Sequence, residues 1–303
     1  MILITGGAGF VGSNLVRELE DVRILDNLFL GKKQHLDGVD AEFMKGDVLN
    51  EEDVKKALKD VDTVFHLAAH SSSPMFVNDC RGSIKVNTLG FLNVLEMSRK
   101  MGVKRVIYAS TSTIYGNNQI PYKEDMHVTA PNFYAASKLA CENYADVYSK
   151  EYGIETVGLR LFSVYGPREE QKKEFANLAS QFIWDMLKEK QPIVYDDGNQ
   201  TRDFVYVKDV VRAFILASKA KGVDGEVFNV GGGVPWKVND MINLLNELLG
   251  TNINPKYVDN PVSGYLYSHK ADTSKAENVL GFKSEYTLKQ GLKECVDYYK
   301  KII

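Results

Sequence analysis

Cysteine is scarce and odd in number: Cys80, Cys141 and Cys295 are the only three in 303 residues. They are too far apart for a CxxC metal motif and cannot all pair, which excludes a disulfide framework and leads us to expect a reducing cytoplasm. The five histidines, His35, His66, His70, His127 and His269, show no zinc-type spacing, so no metal is expected. Long hydrophobic runs are missing too, and none approaches the ~20 residues that span a bilayer. Met1–Thr5 already reads as a buried strand, so no signal peptide is expected ahead of it. Charge of one sign is also lacking. Against 37 Lys and Arg stand 40 Asp and Glu, a net charge of −3, which gives no general attraction to nucleic acid or an anionic membrane and leaves room only for a local basic groove. Internal repeats and low-complexity stretches are absent.

What is present is an ordinary globular composition, 44% apolar and 25% charged, in a chain long enough for one large α/β unit and a smaller appended region. Short runs rich in Val, Ile and Phe predict strands at Met1–Thr5, Val22–Leu25, Ala41–Met44, Thr63–Leu67, Arg105–Ala109 and Thr156–Phe162. Helical patterns fall between them at Val11–Glu20, Asn50–Leu58, Ser83–Met101 and Tyr134–Tyr152. Apolar strands alternating with helices imply a doubly wound parallel sheet of the Rossmann type, covered on both faces. After Gly166-Pro167 the rhythm changes. Helices are expected near Asn177–Glu189, Asp209–Ala220, Val238–Leu249 and Leu288–Lys301, with one more buried strand at Val227–Val230. The expected division is a nucleotide-binding unit over 1–165, with return segments near 204–232, and a smaller C-terminal region over 166–303.

Between the first strand and the first helix, Gly6, Gly9 and Gly12 form a GxxGxxG turn that includes Phe10 and Val11. Such a turn lets the backbone approach a pyrophosphate while the helix N-terminus holds the anion. Asp26 follows the second strand, about twenty residues on, where a carboxylate bonds a ribose and repels a 2′-phosphate. That selects NAD over NADP, although Lys32 and Lys33 stand close by. Tyr134 and Lys138 open a helix at i, i+4 spacing, on one face. A nearby ammonium, helped by an oxidised nicotinamide, is expected to bring the tyrosine pKa down toward working pH, so that it takes a hydroxyl proton as hydride leaves the same carbon. Arg105–Ala109 runs into Ser110-Thr111-Ser112-Thr113-Ile114-Tyr115-Gly116, placing hydroxyls at the carboxyl end of a parallel strand, where such sheets bind ligands.

These segments resemble the extended short-chain dehydrogenase/reductase family, and within it the NAD-dependent sugar epimerases and dehydratases, with the UDP-glucose 4-epimerases the nearest branch. Further matches are Asp26-Asn27, Gly46-Asp47-Val48, His66-Leu67-Ala68-Ala69, Asn87 with Gly90, Tyr165-Gly166-Pro167, Thr201-Arg202-Asp203-Phe204, Phe228-Asn229-Val230-Gly231 and Ala271–Ala276, so the likeness spans essentially the whole chain. The resemblance implies that Asp26 and Asn27 meet the cofactor ribose, Asp47 and Val48 the adenine, and that Leu67, Ala68, Ala69, Asn87 and Ser110 complete the cofactor side with Tyr134 and Lys138. It makes Thr111 the hydroxyl that bonds the sugar O4, Tyr134 the base and Lys138 its partner. On the substrate side it implies Ser163, Asn177, Leu178, Tyr195 packed on the uracil, Arg202 on the diphosphate, and His269 as a determinant of pocket size. The implied activity is 4-epimerisation of a UDP-sugar through a 4-keto sugar, first UDP-glucose and UDP-galactose, alternatively UDP-glucuronate or a UDP-N-acetylhexosamine. Another NAD-dependent sugar-nucleotide oxidoreductase or a dehydratase is a further alternative. A homodimer is implied as well, through the helices at Ser83–Met101 and Tyr134–Tyr152.

Three departures stand out. Ser163 replaces a usual asparagine. Val262 and Tyr265 replace the arginine and aspartate of an Arg-x-Gly-Asp stretch, so a phosphate anchor is missing unless Arg168 or Lys270 supplies it. Ser112-Thr113 stand where dehydratases carry Asp-Glu, which argues against dehydration. A non-catalytic NAD sensor would have no use for Thr111, Tyr134 and Lys138 together.

Overall fold

The strands expected from apolar runs form a seven-stranded sheet in the computed structural model, which describes residues 1–261 and 265–303. Val262 lies outside the described residues. In chain order the strands are β1 (Ile2–Thr5), β2 (Val22–Asp26), β3 (Glu42–Lys45), β4 (Thr63–His66), β5 (Arg105–Thr111), β6 (Glu155–Leu161), β7 (Ser163–Tyr165), β8 (Ile193–Tyr195), β9 (Thr201–Tyr206), β10 (Glu226–Val230), β11 (Pro235–Lys237) and β12 (Lys256–Val258). The large sheet is ordered β10-β6-β5-β4-β1-β2-β3, and all its pairings are parallel. The chain thus winds outward from β1 in one direction, then returns past β1 to start again at β4. That reversal opens a crevice beyond the carboxyl ends of β1 and β4. The register brings Thr5 level with both Leu25 and His66 there.

Why these runs are apolar throughout follows from the pleat. Ile4, Ile24, Phe65 and Ile107 pack into one core on one face. Their chain neighbours Leu3, Leu25, Val64 and Val106 pack into another core on the opposite face, as a period of two requires. A third core gathers Tyr165, Phe182, Val194, Phe204, Met241, Leu245, Leu292 and Tyr299. It fastens the helices Leu178–Leu187, Val238–Leu249 and Leu288–Tyr299 around a small sheet ordered β11-β9-β7. β12 pairs with β8 alone.

Two helices depart from the sequence expectation. The first, expected over Val11–Glu20, is an α-helix at Phe10–Leu15 followed by a 3₁₀ turn at Val16–Glu18. The second, expected over Ser83–Met101, is Cys80–Ile84, a π segment Lys85–Leu89, then Gly90–Met101. Asn87 lies inside the widened turn and is 1% exposed. Its amide accepts from His70 N at 2.8 Å and donates to His70 O at 3.1 Å and Ser137 Oγ at 3.0 Å. Those bonds to other segments hold a local geometry that helix periodicity does not announce.

Candidate active site

Backbone contact explains the glycine turn. Gly6 sits at φ +71°, and a Cβ there would lie 2.7 Å from Ala68 N. A Cβ at Gly12 would lie 2.3 Å from the Gly6 carbonyl oxygen. Helix Phe10–Leu15 starts at Gly9 with no side-chain cap, so its first-turn N–H groups are left to a ligand. Asp26 ends β2. Its carboxylate accepts from Ala8 N at 2.9 Å and Leu28 N at 2.8 Å, which leaves lone pairs over for a ribose. Burial pushes its pKa up, against those two backbone bonds. Turn, carboxylate and uncapped helix share one cleft of 540 Å³, ample for a small-molecule site, and they fit a dinucleotide. We predict that Gly12→Ala drives its methyl into Gly6 O and empties the purified protein of NAD; the check is NAD released on acid denaturation, near one per chain for wild type and a small fraction for the variant.

Gly6, Gly9, Phe10, Val11, Gly12, Asp26, Asn27, Val48, Leu67, Ala68, Ala69 and Ser110 all line this cleft. Asp47 and Asn87 do not. Asp47 accepts from Asn27 Nδ2 at 2.9 Å, and Asn87 braces the loop at His70, as above. His66 bonds Thr5 Oγ1 through Nδ1 at 2.9 Å and stacks on Phe91. Burial, with a smaller push from Lys138, lowers it to about 3, so it is a neutral packed imidazole.

The reactive groups come from β5 and the long helix Phe133–Tyr152, which Asn132 caps by accepting from Ala135 N at 2.9 Å. Tyr134 and Lys138 follow on one face, both buried, and line the cleft with Thr111. Thr111 Oγ1 donates to Thr113 Oγ1 at 3.0 Å, while Lys138 Nζ donates to Ala109 O at 2.8 Å. Burial raises the Tyr134 pKa, opposed by a hydrogen bond with Thr111. Burial also lowers the Lys138 pKa. Desolvation therefore dominates the phenol in the protein alone, and the lowering expected from the lysine together with an oxidised nicotinamide concerns the cofactor-bound site.

Ser163, Asn177, Arg202 and His269 line the same cleft. Asn177 caps helix Leu178–Leu187 by accepting from Ala179 N at 2.9 Å; Leu178 does not line the cleft. Arg202 donates to Thr201 O at 2.7 Å, lies 4.8 Å from the Tyr265 ring centroid and is lowered by burial. His269 packs on Phe162 and Tyr122. Burial, then Arg202, push it down to about 3, and its Nδ1 has no partner among the described residues. Tyr195 is not a lining residue; its ring meets Tyr265 edge-on at 6.1 Å, and Tyr265 faces the cleft instead. Arg168 donates to Asn14 Oδ1 at 2.9 Å and covers the Tyr298 ring. Neither Arg168 nor Lys270 lines the cleft.

Sequence reasoning missed His70, Phe29, Gln171, Lys172 and Phe175, all of which line it. The polar run Glu169-Glu170-Gln171-Lys172-Lys173-Glu174 reads as a solvated turn, and nothing in its spacing signals otherwise.

The family model "NAD dependent epimerase/dehydratase family" matches residues 2–231. A putative UDP-glucose 4-epimerase of Methanocaldococcus jannaschii is 39% identical over 99% of this chain and 98% of its own. The crystal structure of the Thermotoga maritima UDP-glucose 4-epimerase with UDP-glucose superposes with a TM-score of 0.94, at 36% identity, over 99% of both chains. A UDP-N-acetylglucosamine 4-epimerase of Methanobrevibacter ruminantium, in complex with UDP-N-acetylmuramic acid, gives 0.94 at 33% identity, over 100% of this chain and 98% of the other.

Proposed function

Since the chain belongs to the NAD-dependent epimerase/dehydratase family, we propose that it is a UDP-sugar 4-epimerase that interconverts UDP-glucose and UDP-galactose. The observation that carries this reading is the meeting of Thr111, Tyr134 and Lys138 in one cleft with the glycine turn and Arg202. NAD supplies the acceptor, and then the donor, of the C4 hydride. Tyr134 takes the proton of the C4 hydroxyl and Thr111 holds that oxygen, while Lys138 favours the phenolate by its charge. Arg202 and Asn177 grip the nucleotide, with Tyr265 beside it and Tyr195 behind Tyr265. The flat 4-keto sugar then turns over without leaving, and Tyr134 returns the proton after hydride comes back to the other face.

Dehydration requires a second acid and base near Thr111. Among the described residues, the carboxylates lining the cleft are Asp26 and Glu169. Both are engaged by backbone N–H groups at a distance from that chemistry along the chain. The unpartnered His269 Nδ1 and the small Ser163 favour a second reading, a 4-epimerase of UDP-glucuronate or of a UDP-N-acetylhexosamine.

In this reading residues 1–165, with return segments 204–232, hold NAD and residues 166–303 hold the nucleotide sugar. Exposed Leu89, Met101, Val147 and Tyr152 on the two long helices suit a homodimer. Three unpaired thiols suit the cytoplasm, and among the described residues no helix is long and apolar enough to cross a membrane.

The test is incubation of the purified protein with UDP-galactose, without added NAD, following UDP-glucose by anion exchange. Formation of UDP-glucose is expected. If only UDP-galacturonate or UDP-N-acetylgalactosamine turns over, the second reading replaces the first. No turnover of any of the three would sink both.

A further inference from the structure

The turn Glu170–Phe175 borders the cleft between the glycine-turn helix and helix Leu178–Leu187, and the catalytic reading leaves two of its side chains unused. Glu169, just before it, has no exposed surface. One carboxylate oxygen accepts from Lys172 Nζ at 2.9 Å and Asn177 N at 2.9 Å, and the other from Ser180 Oγ at 2.6 Å. Lys172 is thereby held in place, its side chain only 15% exposed and its Nζ 5.6 Å from the ring centroid of Phe10, the residue that opens the glycine-turn helix. An ammonium carries three donors, and Glu169 engages one of them.

Gln171 is the second observation. It lines the cleft and is 6% exposed, yet neither its amide nitrogen nor its amide oxygen has a hydrogen-bond partner among the described residues. A buried amide with both ends unsatisfied opposes folding; its Nε2 and the spare donors of Lys172 call for an external partner that is anionic and rich in acceptors, and its Oε1 for a donor such as a sugar hydroxyl on the same ligand.

We propose that Gln171 and Lys172 form a diphosphate-binding element of the cleft. Lys172 pairs with the diphosphate oxygens, and the Gln171 amide bonds the oxygens next to them. The inference rests on the reading of the cleft as a site for NAD and a nucleotide sugar, each of which brings one diphosphate. Lys172 over Phe10 points to the diphosphate of NAD, and the Asn177 N–H shared through Glu169 ties the same element to the substrate wall. The element also supplies a cation to a cleft from which Arg168 is turned away onto Asn14 and Tyr298.

The test uses the protein as purified, with Lys172→Met (which keeps the aliphatic stem over Phe10), Lys172→Arg and Gln171→Leu. Exchange of bound NAD against isotopically labelled NAD reports on one diphosphate. Calorimetric titration with UDP, against uridine as the phosphate-free control, reports on the other. Lys172→Met is expected to speed NAD exchange or weaken UDP about tenfold to a hundredfold, the range of a lost charge-assisted bond. Uridine affinity should be unchanged, the salt dependence shallower, and Lys172→Arg should recover most of the loss. Gln171→Leu should weaken the same ligand. A change in NAD exchange alone assigns the element to the cofactor, and a change in UDP alone assigns it to the substrate. Unchanged exchange and unchanged UDP binding in both Lys172→Met and Gln171→Leu would overturn the proposal and leave Glu169–Lys172 a plain ion pair. A wild type that fails to bind UDP would sink the substrate reading instead, with NAD exchange still deciding this one.

Discussion

Tyr134→Phe is expected to cut turnover about 10²–10⁴-fold, the usual contribution of a positioned acid–base group, while the purified variant keeps its NAD. The ring stays wedged against Phe76 at 5.7 Å, so the fold and the cofactor wall have no reason to move. Only the oxygen that exchanges a proton with the sugar is lost. The pH profile carries the sign. Burial raises the phenol's pKa, so the base form is scarce at low pH and activity should climb as pH rises. Burial lowers the Lys138 pKa, so the ammonium that supports the phenolate is lost sooner on the alkaline side than for an ordinary lysine. A bell results, its acid limb set by Tyr134 and its alkaline limb by Lys138. Initial rates with UDP-galactose across pH, for wild type and variant, are the check. A phenylalanine variant retaining more than about a tenth of the wild-type rate would move the base to another residue, since even the weak end of acid–base catalysis exceeds that.

Much of this site is legible in the sequence because its parts are local. A glycine turn between strand and helix, a carboxylate at the end of β2, and a tyrosine and lysine one helical turn apart are each fixed by fewer than a dozen neighbouring residues. The sheet is legible for a related reason: strands buried on both faces are largely apolar, and in β2, all five of whose residues are buried, the two exceptions, Arg23 and Asp26, are held by hydrogen bonds. What was not legible depends on distant partners. Tyr195 and Tyr265 are far apart in sequence and meet edge to face; which of them faces the cleft is decided by how β8 and the loop before His269 pack. Arg168, a natural spare cation on paper, stands at φ +69°, and its guanidinium is held by Asn14, outside the cleft. Lys172 hides in a polar run, and only the fully buried Glu169 turns it inward. The π segment around Asn87 follows the same logic, since the partners that hold it there, at His70 and Ser137, belong to other elements.

Arg160→Met is expected to cost about 3–5 kcal/mol of stability, the range for removing one partner of a buried ion pair. Arg160 and Glu142 are 6% and 7% exposed. The guanidinium donates to Glu142 twice, at 3.0 and 2.8 Å, and to Tyr115 Oη at 2.8 Å. Burial alone would lower the arginine's pKa, but the hydrogen bonds and charge of Glu142, with a smaller share from Tyr115, together outweigh it and raise it instead. Tyr115 in turn donates to Asn229 Oδ1 at 2.7 Å, so the chain of bonds runs from the catalytic helix through β6 to β10. Ser110 Oγ donates to the same Glu142 at 2.5 Å, and Ser110 is the residue before Thr111. Methionine fills the space but leaves a buried carboxylate with a single hydroxyl, so the strand end that carries Thr111 loses its anchor and turnover should fall along with stability. Denaturant midpoints measure the first effect and initial rates the second. Lys150→Ala is the control. It breaks an ion pair with Asp146 on the same helix, but one whose side chains are 73% and 42% exposed, and exposed pairs of this kind contribute little. The double variant Glu142→Leu/Arg160→Met should regain part of the lost stability, because it removes the stranded charge that Arg160→Met creates. It should regain none of the activity, since removing Glu142 takes away the partner that Ser110 keeps in Arg160→Met. Equal midpoints for Arg160→Met and Lys150→Ala would mean that the buried pair does not hold the catalytic strand in place.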